Sequence, residues 1–236
     1  MELLIKYKNI PFRCTDVNKK SFILTDNDTI ISNELKKGNE WEPYMLEYFQ
    51  KYIKHNSTVI DIGSNIGTHT INIAKMFPDT IIHAFEPLDL HYDILNQNIK
   101  INNLSNVTTY KKGLSNKKGV MYEPNINFCK PDNFGGFGLQ EQKSNKPVDI
   151  ITLDSLSIEN ISFIKCDVEG HELNVLEGAI ETIEKNKPTL IVEVWQQNHK
   201  FFFNSNLYKK LKSMNYKDKQ ISNMHGVCDY IFTINT

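Results

Sequence analysis

Val59-Ile60-Asp61-Ile62-Gly63-Ser64-Asn65-Ile66-Gly67-Thr68 is an apolar run that enters a glycine turn and leaves it with helical spacing. Thr58–Ile62 reads as a buried strand, and Ile71, Ala74 and Phe77 give the next segment, about 67–77, one apolar face ending at Pro78. The same alternation continues outward. Ile81–Phe85 is a strand, and Leu88, Tyr92, Leu95 and Ile99 mark a helix. Val107–Tyr110 and Ile161–Cys166 are strands, and Leu173, Leu176, Ala179, Ile180 and Ile183 line one helical face. Thr189–Val194 is a strand after Pro188, a helix falls near 206–214, and strands near 216–221 and 227–234 close the chain. Strands alternating with helices predict βαβ units, hence an α/β, Rossmann-like architecture. Its mostly parallel seven-stranded sheet would end in an antiparallel hairpin.

The flanks are less regular. Residues 112–146 contain a loop at Phe134-Gly135-Gly136-Phe137-Gly138, followed by an extended Val148–Leu153. Trp41, Met45, Tyr48, Phe49 and Tyr52 recur at helical spacing, which predicts an amphipathic helix over about 41–55 with the Trp41 ring packed on the sheet. Before it, Ser21–Leu24 and Thr29–Ile31 read as extended around a turn at Asp26-Asn27-Asp28. The expected organisation is a β-rich extension over 1–38 and one domain over 39–236.

With 236 residues, 40% hydrophobic and 23% charged, the chain has the composition of a globular domain. No apolar run approaches the roughly 20 residues of a membrane span, and MELLIKYKNIP does not read as a signal peptide. Cys14, Cys129, Cys166 and Cys228 lie far apart, which predicts free thiols and a cytoplasmic location. A net charge of −1 gives no bulk attraction for nucleic acid. Arg13 is the only arginine, and with abundant Asn and Ile it reads as AT-rich coding, from a giant virus, a low-GC bacterium or a parasite. In the viral case the location would be the host cytoplasm. Substrates that need guanidinium forks are disfavoured.

The glycine spacing at 63–67 differs from the GxGxxG turn that receives a dinucleotide pyrophosphate. Asp61, just before the turn, would repel such an anion but attract the ammonium and sulfonium of S-adenosylmethionine (SAM). Glu86 ends the second strand about 20 positions on, where an acid can accept both ribose hydroxyls of an adenosine. A plain strand-to-helix turn and a helix-capping carboxylate are the alternatives. Gly113 and Leu114 fall after the third strand, where an adenine ring would lie.

The stretches VIDIGSNIGTHT (59–70), FEP (85–87), NQNIKINNLSNVTTYKKGLSN (96–116), ITLDSL (151–156), IKCDVEGHELNVLEGA (164–179) and PTLIVEV (188–194) together resemble the FkbM-type methyltransferases. The resemblance implies the class I methyltransferase fold, SAM as methyl donor and S-adenosylhomocysteine as product. It also implies an acceptor hydroxyl on a small molecule, sugar, glycan or related natural product. Carried over by position, Asp61, Gly63, Asn65, Gly67, Glu86 and Pro87 are the cofactor residues, with Gly113 and Leu114 beside them.

Methyl transfer to an alcohol needs alignment and a base. Asp167 at the end of the fourth strand and Glu193 within the apolar run of the fifth are the first candidates, followed by Glu169 and His171. Helix capping by Asp167 and Glu169, solvation of His171 and pairing of Glu193 with a buried lysine are the structural alternatives. Trp41, Glu42, Tyr44 and Phe134–Phe137 are candidates for the acceptor wall. The carboxylates suit Mg²⁺, but no local metal motif supports a metal, and none is assigned. The chain is expected to act as a monomer or homodimer.

Overall fold

A computed structural model describes residues 2–224 and 226–234. Its strands, in chain order, are β1 (Phe12–Val17), β2 (Lys20–Thr25), β3 (Thr58–Ile62), β4 (Ile81–Phe85), β5 (Val107–Tyr110), β6 (Gly113–Leu114), β7 (Gly119–Tyr122), β8 (Pro147–Ile151), β9 (Ile161–Cys166), β10 (Thr189–Trp195), β11 (Tyr216–Gln220) and β12 (Val227–Ile234). Among the described residues, seven strands form the main sheet in the order β11-β12-β10-β9-β3-β4-β5. Only β12 runs against its neighbours. The α/β class, the seven strands and the antiparallel close are therefore as expected. The helices Thr68–Met76 and Asp89–Ile101 cross from β3 to β4 and from β4 to β5.

Burial explains why these strands lie at the centre. Every residue of β3 and β9 is buried, so both faces of the sheet are covered. Side chains alternate across it: Ile60, Ile62, Ile164 and Val192 enter one apolar cluster, and Val59, Phe163 and Ile191 enter another with Met45, Phe49 and Ile73. Asp61 shares a face with Val59. It therefore points toward the helix Thr68–Met76, where Thr70 Oγ1 donates to its Oδ2 at 2.5 Å. The strand order reverses at the β3–β9 pair, and in such sheets a crevice opens beyond the strand ends at that point.

The structure corrects several local expectations. Thr29–Ile31 is not extended, because Ile31 begins the helix Ile31–Lys36, whose amide at Ser32 is held by Asp28 Oδ2 at 2.6 Å. The strand that pairs with the Ser21–Leu24 segment is instead β1, in an antiparallel hairpin. The helix expected over 41–55 spans only Met45–Tyr52. Trp41 precedes it and packs with the cluster of the N-terminal segment rather than on the sheet. The helix read through 173–183 is two, Glu172–Glu177 and Ile180–Asn186. The break falls at Gly178, where an added Cβ would stand 2.0 Å from the Ser115 carbonyl oxygen. Residues 113–151 contribute a second, three-stranded sheet, β6-β8-β7. The N-terminal extension shares its core with the domain, since Phe22, Leu24 and Leu35 cluster with Ile66, Ile71 and Ile94. Among the described residues, no helix is long and apolar enough to cross a membrane.

Candidate active site

The turn after β3 is built by backbone necessity. Gly63 has φ +80°, and an added Cβ would stand 1.7 Å from the Asp167 carbonyl oxygen, so the tips of β3 and β9 meet backbone to backbone. The Asp167 amide donates to the Ile62 carbonyl at 3.1 Å and closes that contact. Gly67, at φ +91°, faces Leu95 and does not line the cleft. Its positive φ and its contact with Leu95 serve turn geometry and packing.

Glu86 joins two turns. It is 4% exposed, its Oε2 accepts from the Asn65 amide at 2.8 Å and its Oε1 accepts from the Leu88 amide at 2.9 Å. Burial pushes its carboxyl up to about 7, although both N–H donors favour the anion. Glu86 caps neither helix: the amides it holds, at Asn65 and Leu88, belong to the turns that precede them. His91, four positions into the cleft wall from Pro87, is pushed down to about 4 by burial and stands 4.0 Å from Glu86.

These groups line one cleft of about 320 Å³ beyond the carboxyl ends of the sheet. Of the residues expected from the sequence, Asp61, Gly63, Asn65, Glu86, Pro87, Gly113, Leu114, Asp167, Glu169, His171 and Glu193 all face it. So do Trp41, Glu42, Tyr44 and Phe137, whereas Phe134 is buried in the N-terminal cluster. The residues fit a cationic adenosyl cofactor. Asp61 is 0% exposed and its Oδ1 has no hydrogen-bond partner, so the cleft floor presents an unsatisfied carboxylate oxygen.

Beyond that floor the strand ends gather acids. Asp167, Glu169 and Glu193 each place a carboxylate oxygen within 4.8 Å of the others, a donor set of the kind that can hold a cation. The Glu193 Oε2 is buried without a partner. Burial, reinforced by Asp167 and Glu169, pushes the Glu193 carboxyl far above the usual carboxylate range, and burial beside Asp167 raises Glu169 too. Glu172, which sequence reasoning passed over, accepts from the Val168 and Gly170 amides at 3.1 and 2.9 Å and fixes the turn that carries Glu169. Burial raises Glu172 to about 7. His171 is partly buried: its Nε2 lies 2.9 Å from the Ser115 hydroxyl, which ties the β6 loop to this turn.

Two further groups escaped the sequence reading. Asp229 on β12 is the Cα partner of Glu193 and accepts from the hydroxyls of Tyr44 (2.7 Å) and Ser222 (2.6 Å). A lone Asp inside Val227-Cys228-Asp229-Tyr230-Ile231 was the available signal. His69 on the helix Thr68–Met76 pairs its Nε2 with Glu42 at 2.8 Å, a contact across 27 positions that no spacing announces.

Residues 61–217 match the methyltransferase FkbM domain. Methyltransferase sdnD of Sordaria araneosa is 27% identical over 174 residues, which cover 60% of this chain and 67% of that protein. Hexuronic acid methyltransferase AglP of Haloferax volcanii is 30% identical over 129 residues, 52% of this chain and 50% of that protein. The chain thus spans between half and two thirds of these relatives. The crystal structure of a methyltransferase FkbM from Methylobacillus flagellatus superposes with a TM-score of 0.55 at 16% identity, over 79% of this chain and 50% of that one, which shows a shared fold. With two thirds of its length matched by that domain, the chain belongs to the FkbM family of SAM-dependent methyltransferases.

Proposed function

We propose that the cleft transfers a methyl group from SAM to a hydroxyl of a sugar or related natural product. Bound SAM supplies an electrophilic methyl on a positively charged sulfur. Asp61 and the 63–65 backbone would hold its charged end, Glu86 its ribose, and Gly113 and Leu114 the adenine edge. The acceptor would occupy the remaining cleft, between Trp41, Tyr44 and Phe137, whose faces suit a sugar ring. Glu193 is the candidate base in its ionised form: its buried oxygen has no other partner, and the burial that makes the carboxylate scarce near neutral pH makes it strongly basic once formed. Asp167 and Glu169 would orient the hydroxyl.

One observation carries this reading: the carboxylate oxygens of Asp167, Glu169 and Glu193 converge within 4.8 Å, in the same cleft as Asp61 and Glu86. The same acids bear on the acceptor's charge. AglP is named for a hexuronic acid. Here Glu42 and Asp167 line the cleft beside acids whose ionisation burial already opposes, so an acceptor carrying a carboxylate would meet repulsion and a further cost to those acids. A neutral sugar is favoured, and an amine-bearing acceptor is the second reading on that same evidence. Nucleic acid is disfavoured for the same reason.

A methyl-transfer screen with labelled SAM over neutral monosaccharides, amino sugars, uronic acids, glycans and capped RNA tests this. Label should enter a neutral sugar oxygen. Label on nitrogen would establish the second reading, and label confined to RNA or uronic acids would overturn both.

A further inference from the structure

Lys165 is 3% exposed on β9, a central strand whose every residue is buried. A lysine in such a place is expensive unless its charge is matched. Its Nζ donates to Asp167 Oδ2 at 2.9 Å and stands 4.0 Å from Asp61 Oδ1, the oxygen that lacks a hydrogen-bond partner. The register explains the meeting. Asp61 is the Cα partner of Lys165 across β3–β9, and Asp167 lies two residues further along the chain, just past the end of β9, where its Oδ2 meets the Lys165 Nζ. Burial opposes the ammonium's charge, but Asp167, Asp61 and Glu42 more than reverse that, and its proton is held above the usual lysine range.

We propose that Lys165 is a positioning residue of the transfer: its ammonium binds the cofactor carboxylate Asp61 and the reaction-centre carboxylate Asp167 into one unit. By offsetting their negative charge, it limits how strongly the site prefers the sulfonium of SAM over the neutral thioether of the product. A site walled by Asp61, Asp167 and Glu42 would otherwise favour the cation strongly. Favouring SAM is useful for capture. An excess of negative charge at the sulfur, however, stabilises the charged ground state more than a transition state in which that charge is dispersing. Lys165 counters this from the cleft floor, where its ammonium lies against both acids. The other cleft lysine, Lys112, is half-exposed and paired with Asp149 at 3.3 Å, away from this centre.

The inference rests on the proposed placement of SAM against Asp61 and Asp167, and calorimetry separates the two. Wild-type protein is titrated with SAM and with S-adenosylhomocysteine at pH 7.5, and the ratio of their dissociation constants is taken. Failure of either to bind would overturn the placement itself. Given binding, Lys165→Met should shift the ratio at least threefold toward SAM, since two carboxylates lose their counter-charge. Asp167→Asn should shift it at least threefold the other way. Lys165→Arg should restore the wild-type ratio, which a merely structural role would not require of the charge alone. An unchanged ratio in Lys165→Met, or equal weakening of both ligands, overturns the proposal. Should Lys165→Met fail to fold, Asp167→Asn decides: it cuts the same ion pair at its half-exposed end, and an unchanged ratio there is equally fatal.

Discussion

Gly63 and Asp167 touch through their backbones: a Cβ on Gly63 would lie 1.7 Å from the Asp167 carbonyl oxygen. The ends of β3 and β9 are thereby locked together, and the turns that carry Ser64-Asn65 and Val168-Glu169 are set by one contact. Gly63 also has φ +80°, which alanine adopts only with strain. Gly63→Ala should therefore cost about 3 kcal/mol or more and lower the melting temperature by roughly 6–12 °C. SAM binding should fall with it, because the separation of the strand tips moves Asp61 and Asp167 apart. A thermal melt within about 2 °C of wild type would show that the strand ends are not in contact.

Glu86 makes a different kind of tie, between the Asn65 and Leu88 amides. Glu86→Ala leaves both N–H groups buried without an acceptor, at about 1–3 kcal/mol each, and removes the proposed ribose partner. Glu86→Gln keeps an acceptor and the shape. The expected order of SAM affinity is wild type, then Gln, then Ala, with Ala at least tenfold weaker than wild type by calorimetry. Equal affinities in all three proteins would remove Glu86 from the cofactor site.

The sheet was legible because burial on both faces writes continuous apolar runs, and helices between them write period-3.6 stripes, as in Val59–Ile62 and Leu88–Ile99. The carboxyl-end position of Asp61, Glu86 and Asp167 followed from that alternation. Three things did not follow. The hairpin β1–β2 is held to the helix Asp89–Ile101 by Asn98 and Asn102, which bond the Ile23 and Ser21 backbones across 75 and 81 positions. Asparagines on a helix look solvated in sequence. Gly67 has the motif's spacing but serves Leu95, since spacing cannot tell a ligand from a neighbouring side chain. The Glu42–His69 pair and the Glu193–Asp229 apposition are products of tertiary packing and strand register.

Stability should depend on pH in a direction fixed by the buried acids. Burial raises Glu86 and Glu172 to about 7, so between about 4.5 and 7 the folded state holds protons that the unfolded chain releases. Stability from these groups is full at low pH and is lost as pH rises through that window, by up to roughly 3 kcal/mol each. His91 acts oppositely: burial lowers it to about 4, so its contribution is lost as pH falls from about 6.5 toward 4. Glu169 and Glu193, also raised by burial, extend the alkaline decline. The ligand-free protein should therefore melt at a lower temperature at pH 9 than at pH 6.5. A flat or rising profile over that interval would mean these carboxyls are hydrated.

Chelation separates two uses of the acid cluster. If Asp167, Glu169 and Glu193 act on the acceptor directly, turnover after EDTA and desalting should stay within twofold of the untreated enzyme. Loss of turnover restored by Mg²⁺ would instead assign their converging oxygens to a divalent cation.

Glu193→Gln combines stability and catalysis in one substitution. The carboxyl is buried among Asp167, Glu169, Glu172 and Asp229, with Oε2 unpartnered, so its charged form is costly and its neutral amide isostere is not. The variant should melt above wild type, by a margin that grows from pH 6.5 to pH 9, because folded wild-type Glu193 keeps a proton that the unfolded chain releases. SAM affinity should remain within about threefold, because Asp61 and Glu86 are untouched. Turnover, if Glu193 takes the acceptor proton, should fall by about 10²–10⁴-fold, and the fall should appear in kcat rather than in KM for SAM. Greater stability with undiminished turnover would mark Glu193 as a buried acid without a role in proton transfer and move that role to Glu169. Asp229 lies beside Glu193 across the β10–β12 pairing and already accepts from Tyr44 and Ser222, so it is a poorer substitute.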